Sequence, residues 1–389
     1  MSKRILVFQY GDMRHSLQEF DHNGVETFRD QRLSVECIRA LSLSAEVLNV
    51  SLSDVYPQET YATGLHLVGI GPRGLTQEKV AAIFAEFQPT HVVLRAPVRR
   101  VLDEAGRRRV PVLPWFDLSF GGSGWRAFAR RMAMRRSLSR ARVPCLANHS
   151  WAMARNSGLR LLWPRSRTVP WVHTPLPVQG KPRSEVPDPT RPQVFFAGSL
   201  AEDKGVGDAL VALRILRDRG INADLTVAGR GDEAPLSALA TRLGVEAQVT
   251  FLGIIANSEV LERMAKADMV LVAARHSYSD GLPHAMSEAL SVRTPVILPD
   301  HKSILDCLDH GEECLIFEAA NPLSLTDSVS MLCASPGLYR RLSKNADGAF
   351  AKLNVGVHWQ DMLDLFLDDP WNQTRWVQKH SLNALKPGG

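Results

Sequence analysis

The chain has 389 residues, the length of about two domains, and contains 45% hydrophobic and 22% charged residues. This composition excludes a disordered, collagenous or coiled-coil chain, and the short apolar runs exclude a polytopic membrane protein, because a span needs about 20 apolar residues. The net charge of +5 divides into +11 on residues 1–190 and −6 on residues 191–389, so we expect the first half to meet an anionic partner.

Strand-like and helix-like runs alternate along the first half, which is the pattern of parallel βαβ units. The first apolar run is too short for a signal peptide and is predicted to be a strand. Buried strands are predicted at residues 5–9, 45–50, 91–94 and 110–113, and helices at residues 29–41 and 77–87. Six prolines then fall within residues 173–192; because proline removes a backbone donor and stiffens the chain, this segment is predicted to be a linker.

The same alternation continues through the second half. Strands are predicted at residues 194–198, 224–229, 248–253, 268–274, 295–298 and 314–317. Helices are predicted at residues 206–217, 259–267, 283–290, 322–332, 337–352 and 358–367. These patterns predict two doubly wound α/β domains at residues 1–172 and 193–355, with residues 356–389 packing back toward the first. Such domains would leave a cleft, and ligands bind beyond the carboxyl ends of their strands.

The segment 277–290 carries the most chemistry. Asp280-Gly281 favours a turn, and Pro283 suits the first turn of a helix. Asp280 and Glu288 are about two helical turns apart, so both carboxylates can face one side and accept hydrogen bonds from sugar hydroxyls. The alternative is that Asp280 only caps the helix and that Glu288 is a solvated helix residue.

This segment, Asp-Gly-Leu-Pro-x-x-x-x-Glu-Ala-Leu followed by Thr294-Pro-Val-Ile, resembles the signature of the retaining glycosyltransferases of family 4. The resemblance implies a GT-B fold, in which two Rossmann-like domains face each other across a cleft. The family usually has Glu-x7-Glu, and here the first member is Asp280. By resemblance, Glu288 holds the nucleotide ribose, Asp280 is catalytic beside the donor sugar, and Gly281 and Leu282 bind the donor.

The resemblance extends to the turn at residues 198–205, Gly-Ser-Leu-Ala-Glu-Asp-Lys-Gly, which matches the family's Gly-Arg-x-x-x-x-Lys-Gly. It implies that Lys204 contacts the donor diphosphate, and a turn that opens a helix offers backbone N–H groups to the same anion. Ser199 stands at the donor-binding position where the family usually has Arg, so one bidentate phosphate contact is lost. The alternative for Lys204 is an exposed lysine at a helix start.

Other donor-side positions carry weaker signals. Gly229 and Gly231 resemble the family's Gly-x-Gly loop, although glycine ends many strands. Residues 251–253 and the adjoining Ile254 resemble the segment that borders the nucleobase, with a core strand as the alternative. Arg275 precedes the acidic loop, where the resemblance places phosphates, and a surface role is its alternative.

The first half resembles the family less. Residues 23–27, Asn-Gly-Val-Glu-Thr, are similar to the family's Gly-Gly-x-Glu-Thr, so Gly24 is expected to approach the donor phosphate or the acceptor, unless it is an ordinary loop glycine. Asp117 follows a strand where many members carry His-Asp, and it is the second expected catalytic residue, on the acceptor side; Phe116 replaces the histidine. His173 lies at the domain junction and is predicted to be structural.

A basic stretch runs from Arg126 to Arg142, with seven arginines and no acidic residue. Apolar residues are interleaved with the arginines: Trp125, Phe128, Met132 and Met134. A helix of this kind is expected to lie on an anionic membrane surface or to bind an anionic acceptor such as a lipid-linked diphosphate. The alternative is a solvated basic face. Nucleic acid is not an expected partner, because no reading module accompanies the patch.

The resemblance therefore implies a retaining hexosyltransferase that moves a sugar from a UDP- or GDP-linked donor to a glycan or lipid-linked acceptor. No Asp-x-Asp occurs in the chain, so we expect neither a metal nor a cofactor. One alternative is a nucleotide-sugar 2-epimerase of the same fold. Another is a catalytically weakened binding or assembly protein, which the departures at Ser199, Asp280 and Phe116 favour.

Five scattered cysteines without a Cys-x-x-Cys pair argue against a zinc knuckle or a disulfide framework. They favour a reducing compartment. The expected location is therefore the cytoplasm, with peripheral attachment to the inner membrane face through the basic stretch.

Overall fold

The computed structural model of the protein describes residues 3–24, 26, 30–118, 120–174, 177–278, 282–371 and 373–386. These residues form two compact α/β units. The first unit comprises the described residues up to Thr174 together with those from Asn354 onward, and the second comprises those from 177 to Leu353. Each unit has its own sheet and its own hydrophobic core.

The elements of the first unit are, in chain order, β1 (Lys3–Gln9), α1 (Met13–Asn23), α2 (Gln31–Ser44), β2 (Ala45–Ser51), β3 (Val55–Ala62), β4 (Leu65–Ile70), α3 (Gly71–Gly74), α4 (Gln77–Phe87), β5 (His91–Leu94), α5 (Arg99–Arg108), β6 (Val112–Phe116), α6 (Gly124–Arg140), β7 (Leu146–His149), α7 (Trp151–Leu161), a 3₁₀ turn (Arg165–Arg167) and β8 (Thr168–Val172). The chain returns to this unit with β15 (Val357–His358), α15 (Trp359–Asp368) and α16 (Thr374–His380).

The sheet of the first unit has the strand order β15-β8-β7-β6-β5-β1-β2-β4-β3. The prediction of parallel strands is confirmed for β1, β2, β5 and β6, whereas β3 is antiparallel to β4. The purely parallel prediction is wrong there because only residues 63 and 64 join the two strands, and Gly64 takes a φ of +74°. A connection this short can form only a hairpin.

Both faces of this sheet are covered. The parallel strands β1, β2, β5, β6, β7 and β8 are buried nearly throughout, as is usual for a parallel sheet that lies between layers of helices, whereas most residues of the edge strand β3 are exposed or half-buried. On one face, α15 buries Trp359, Met362 and Phe366 against β1, β6 and β8. β15 extends the sheet by pairing in parallel with β8. The returning C-terminal segment thus completes the core of the first unit.

The elements of the second unit are β9 (Gln193–Ala197), a 3₁₀ turn (Glu202–Lys204), α8 (Val206–Asp218), β10 (Asp224–Ala228), α9 (Ala234–Leu243), a 3₁₀ turn (Glu246–Gln248), β11 (Val249–Phe251), α10 (Asn257–Lys266), β12 (Met269–Leu271), α11 (His284–Ser291), β13 (Val296–Pro299), α12 (Lys302–Leu305), β14 (Leu315–Phe317), α13 (Pro322–Ala334) and α14 (Pro336–Leu353). The strands and helices predicted for this half are confirmed, with ends shifted by a few residues.

The six strands of the second sheet are all parallel, in the order β11-β10-β9-β12-β13-β14. From β9 the chain first moves outward to β10 and β11 and then returns to the other side of β9 with β12. The strand order therefore reverses between β9 and β12, and such a switch point is where an open α/β sheet leaves a crevice for a ligand.

The proline-rich segment is tied to the second unit. Arg183 donates from Nη1 to the Ala267 carbonyl at 2.7 Å and from Nη2 to the Thr294 hydroxyl at 2.6 Å. Arg183 therefore anchors this segment to the residues that follow α10 and α11. Among the described residues, no helix is both long enough and apolar enough to cross a bilayer.

Candidate functional site

The turn after β9 delivers Lys204 to the start of α8. The 3₁₀ turn that contains Lys204 ends at Gly205, which has a φ of +76°. A Cβ atom at position 205 would lie 2.0 Å from the carbonyl oxygen of Ala273, in the loop after β12. Only glycine allows this approach. The absence of a side chain at Gly205 thus brings the N-terminus of α8 against the strand on the other side of the switch point.

The same approach places cations and an aromatic ring together. The Lys204 Nζ atom lies 3.7 Å from the centre of the Tyr278 ring, a cation–π distance. The Arg275 backbone N–H donates to the Asp203 carbonyl at 2.8 Å. A half-buried ammonium at the N-terminus of α8, a helix of 13 residues, is suited to hold a phosphate.

The Arg275 side chain is engaged within this cluster. Its Nε and Nη2 atoms donate to both carboxylate oxygens of Asp208, in the first turn of α8, at 2.8 and 2.9 Å. Its Nη1 atom also pairs with Glu202 at 3.0 Å. The hydrogen bonds that Arg275 donates to Asp208 raise the pKa of the Arg275 guanidinium. In this arrangement Arg275 fastens α8 to the loop after β12, and its predicted donor contact stays a prediction.

Glycines bring the loops after β9, β10 and β11 into contact. The Gly229 N–H donates to the Gly253 carbonyl at 2.8 Å, and the Gly198 N–H donates to the Ala228 carbonyl at 3.0 Å. A Cβ atom at Gly229, where φ is +150°, would lie 1.8 Å from the Gly198 oxygen. At Gly231 it would lie 2.5 Å from the Leu200 Cβ atom. Both predicted glycines therefore allow close backbone approach at the carboxyl edge.

Glu288 lies on α11 and is 4% exposed, so the alternative of a solvated helix residue is wrong. Its Oε1 atom accepts a hydrogen bond from the Asn257 side-chain amide at 2.9 Å. Among the described residues, no lysine, arginine or histidine forms an ion pair with Glu288. The carboxylate is thus buried, with an amide donor rather than a cation beside it.

The other donor-side residues fall into three groups. Ser199 is exposed on the turn after β9, and Ile254 presents an apolar side chain, 48% exposed, just beyond β11. Leu282 is buried. Asp280 and Gly281 lie outside the described residues.

Two predicted residues belong to the first unit. Gly24 ends α1 with a φ of +62°, and a Cβ atom there would meet nothing within 4 Å. Asp117 is exposed directly after β6. Burial lowers the pKa of Arg95, and the negative charge of Asp117 partly opposes this shift. Burial and the charge of Asp117 both raise the pKa of Tyr10. Asp117 therefore shares the carboxyl edge of the first sheet with a cation and a phenol.

The predicted structural histidine, His173, belongs to a buried network in the first unit. Its Nδ1 atom lies 2.8 Å from the Asp30 carboxylate. Asp30 also accepts from the Thr174 N–H at 3.1 Å and from the Trp359 indole N–H at 3.2 Å. His173 thus helps to fasten the residues at which the chain leaves the first unit.

Sequence reasoning missed four residues of these clusters: Tyr278, Asn257, Asp208 and Asp30. Tyr278 lay within the segment that carried the most chemistry, two residues before Asp280, and was the easiest to find. The other three act through contacts with residues far away in the chain. Among the described residues, no group of three or more His, Cys, Asp or Glu side chains could hold a metal ion.

Comparison with known proteins finds a family model that matches the second unit and a curated relative that matches about a third of the chain. Residues 179–348 match the model of a family described as glycosyl transferases group 1. The amylovoran biosynthesis glycosyltransferase AmsK of Erwinia amylovora is 31% identical over 123 residues, which are 31% of this chain and 30% of that protein. The match therefore spans about a third of this curated relative's own length.

Solved structures resemble the whole chain. Sucrose-phosphate synthase from Thermosynechococcus elongatus superposes with a TM-score of 0.60 at 15% identity, covering 94% of this chain and 98% of the other. HepE from Anabaena, solved in complex with UDP, superposes with a TM-score of 0.58 at 13% identity, covering 94% and 100%. At these identities the likeness shows the fold alone. The predicted GT-B fold, with two Rossmann-like domains, is confirmed.

Proposed function

We propose that this protein, whose second unit matches the group 1 glycosyltransferases, transfers a sugar from a nucleotide sugar to an acceptor with retention of configuration. One observation carries the proposal: Lys204, the N-terminus of α8 and the loop leading to the acidic segment converge at the switch point of the second sheet. This convergence provides positive charge and backbone donors at the place where such sheets bind ligands.

The donor diphosphate would lie against the N-terminus of α8. When the bond between the sugar and the diphosphate breaks, negative charge develops on the departing oxygen. The Lys204 ammonium and the N–H groups of α8 are already oriented and would stabilise that charge without rearrangement. The loops after β9, β10 and β11 are joined by backbone hydrogen bonds at their glycines, and the missing side chains there would let the backbone approach the nucleotide.

Glu288 would accept hydrogen bonds from the ribose hydroxyls of the donor, because a buried carboxylate is a strong acceptor for them. The exposed Ile254 would offer an apolar surface to the nucleobase. Asp280 remains our candidate beside the donor sugar, and Asp117 our candidate on the acceptor side. We expect front-face attack by the acceptor, since the residues identify no carboxylate nucleophile for a double displacement.

UDP is the first nucleotide to test, because HepE binds it in a related fold. We keep the proposal of a metal-independent reaction, in which Lys204 takes the place of a diphosphate-bridging ion; the chain has no Asp-x-Asp. The proposed acceptor is a glycan or a lipid-linked molecule. The nucleotide-sugar 2-epimerase and the weakened binding protein remain the competing functions.

Isothermal titration calorimetry with UDP and GDP tests the donor site. Lys204→Ala should weaken binding by about 1.5–3 kcal/mol, the range of a charge-assisted hydrogen bond. Lys344→Ala, which removes an exposed lysine of the same unit, is the matched control and should leave Kd unchanged. An equal Kd for wild type and Lys204→Ala would refute the assignment, and no binding of either nucleotide would remove the proposed function.

Turnover separates the competing functions. A transferase should release nucleotide from UDP-glucose only when an acceptor is present, whereas an epimerase needs no acceptor. Micromolar binding without turnover across a panel of acceptors would favour the weakened binding protein.

The basic helix supports a peripheral membrane location. Trp125, 76% exposed, and Phe128 protrude from the first turns of α6, among arginines. Replacing Arg130, Arg135 and Arg136 by Ser should release the protein from anionic vesicles, with neutral phosphatidylcholine vesicles as the control. Arg131 is left unchanged because it donates to the Gly122 carbonyl at 2.9 Å. If the wild type does not bind anionic vesicles, the membrane proposal fails.

A further inference from the structure

Glu288 occupies an unusual environment for a carboxylate. It is almost fully buried, and no cation pairs with it among the described residues. A buried charge needs hydrogen-bond donors to offset the loss of water. The Asn257 amide, 2.9 Å from Oε1, is the donor that the structure supplies. The orientation of the carboxylate therefore depends on this amide.

Among the described residues, Glu288 is the hydrogen-bond partner of the Asn257 side chain, at 2.9 Å. Asn257 is the first residue of α10, and Ala256 rather than Asn257 occupies the capping position of that helix. The Asn257 side chain is therefore not committed to the end of its own helix. Instead it joins α10, which follows β11, to α11, which follows the loop after β12.

We propose that Asn257 is a positioning residue that orients Glu288 toward the ribose of the nucleotide donor. This inference rests on the proposed function. A carboxylate has about four acceptor positions, and the Asn257 amide occupies one of them. Fixing Oε1 restricts the rotation of the Glu288 side chain and directs the remaining acceptor positions. A hydroxyl of the ribose is the group that they would receive.

The consequence is selectivity for ribose over 2′-deoxyribose. A site that is built to hydrogen-bond a hydroxyl discriminates against an analogue that lacks it, because the buried acceptor is then left without a donor. If Asn257 sets the direction of that acceptor, removing the amide should abolish the preference for ribose. The affinity for the diphosphate should fall much less, because we place the phosphates beside Lys204.

Calorimetry with two matched pairs of probes measures this selectivity: UDP against 2′-deoxy-UDP, and GDP against 2′-deoxy-GDP. For whichever pair binds, the Kd of the wild type for the ribonucleotide should be lower than that for the deoxyribonucleotide by about tenfold or more. Asn257→Ala should reduce that preference to within about twofold to threefold. Ser258→Ala, at the exposed neighbouring position of α10, is the control and should keep the wild-type preference.

Two further variants decide the outcome if Asn257→Ala fails to fold. Asn257→Asp has the same size but replaces the amide donor by a second carboxylate against Glu288, so the ribose preference should be lost at pH 8. Asn257→Gln keeps the amide and should retain more of the preference than Asn257→Asp at pH 8.

The results separate the inference from the proposed function. If the wild type binds neither UDP nor GDP, both fail. If it binds one of them and prefers ribose, but Asn257→Ala or Asn257→Asp at pH 8 keeps the full preference, the inference alone is overturned. Equal binding of ribo- and deoxyribonucleotides by the wild type also overturns the inference and leaves the nucleotide site standing.

Discussion

The two units hold the residues at their strand ends by different means. In the second unit, backbone groups of neighbouring loops bond directly to each other, as when the Gly229 N–H donates to the Gly253 carbonyl at 2.8 Å. The first unit also has such backbone bonds, as when the Leu52 N–H donates to the Gln9 carbonyl at 2.9 Å, but it adds a side-chain hub, because the Asp30 carboxylate receives His173, the Thr174 N–H and the Trp359 indole. Backbone contacts need glycine at fixed places, whereas a side-chain hub needs one residue and its distant partners.

Asp30 joins the two places where the chain crosses the boundary of the first unit. His173 and Thr174 are the last residues of the first unit before the chain enters the second, and Trp359 begins the helix that returns. The hydrogen bonds span 143 and 329 positions of sequence. Asp30 is 6% exposed and adopts a φ of +63°, which aspartate tolerates better than most residues. The first unit therefore depends on this one carboxylate.

The largest expected effect follows from removing this carboxylate. Asp30→Ala leaves three donors without their acceptor in a buried site and should lower the free energy of unfolding of the first unit by about 3 kcal/mol. All eight tryptophans of the chain lie in the sequence of the first unit, so tryptophan fluorescence during urea unfolding reports on that unit alone.

Glu86→Ala, on the exposed side of α4, is the control for this prediction and should change the same transition by less than about 0.5 kcal/mol. If Asp30→Ala leaves the fluorescence transition within that range, Asp30 is not the hub of the first unit. The comparison between the two units would then lose its basis.

The counterpart in the second unit is Gly229→Ala. The new Cβ atom would lie 1.8 Å from the Gly198 oxygen, so the loops after β9 and β10 must separate. We expect a loss of about 2 kcal/mol and a weaker affinity for UDP. Far-UV circular dichroism and calorimetry measure the two effects. Gly348→Ala, in the middle of α14 with open space around its Cβ position, should instead be neutral or stabilise by up to about 1 kcal/mol.

A smaller effect distinguishes structural from ligand-binding charge in the second unit. Arg275→Ala removes the bidentate pair with the buried Asp208, and we expect a loss of about 1 kcal/mol of stability. If the guanidinium serves this pair, Kd for UDP should change less than about threefold. A tenfold weaker Kd at unchanged stability would show instead that Arg275 binds the donor. Arg263→Ala, which removes an exposed pair with Glu259, is the control.

The same difference between the units explains what the sequence could predict. Gly205, Gly229 and Lys204 lie in short segments whose glycines mark tight turns, and the doubly wound fold of the second half followed from its regular alternation of strands and helices. The antiparallel β3 was missed, because its polar residues gave no strand signal until the two-residue turn at Gly64 was seen.

Side-chain partnerships escaped prediction for a physical reason. Asn257 and Glu288 are 31 positions apart, and each is unremarkable in its own helix. Asp30 and Trp359 are separated by most of the chain. Local propensity carries no information about such pairs, since they depend on how helices pack after the sheet has formed. The polar residues that decide the chemistry are therefore the ones that sequence reasoning found least reliably.

The smallest expected effect is the acid dependence of the first unit. Burial alone would raise the pKa of Asp30, but the hydrogen bond and charge of His173, together with the Thr174 N–H, outweigh burial and hold that pKa well below its ordinary value. Asp30 therefore binds fewer protons in the folded state than in the unfolded state. Its stabilisation is complete above the unfolded pKa of about 3.9 and is lost as pH falls toward the folded pKa.

The double difference between wild type and Asp30→Asn isolates this contribution, because the other carboxylates titrate alike in both proteins. From pH 5 down to pH 3.5, the advantage of the wild type in the fluorescence-monitored transition should shrink by about 0.7 kcal/mol. The difference between wild type and Glu86→Gln, an exposed carboxylate, should stay nearly constant over the same range. An advantage of Asp30 that grows on acidification would mean that burial dominates its pKa and that His173 does not neutralise it.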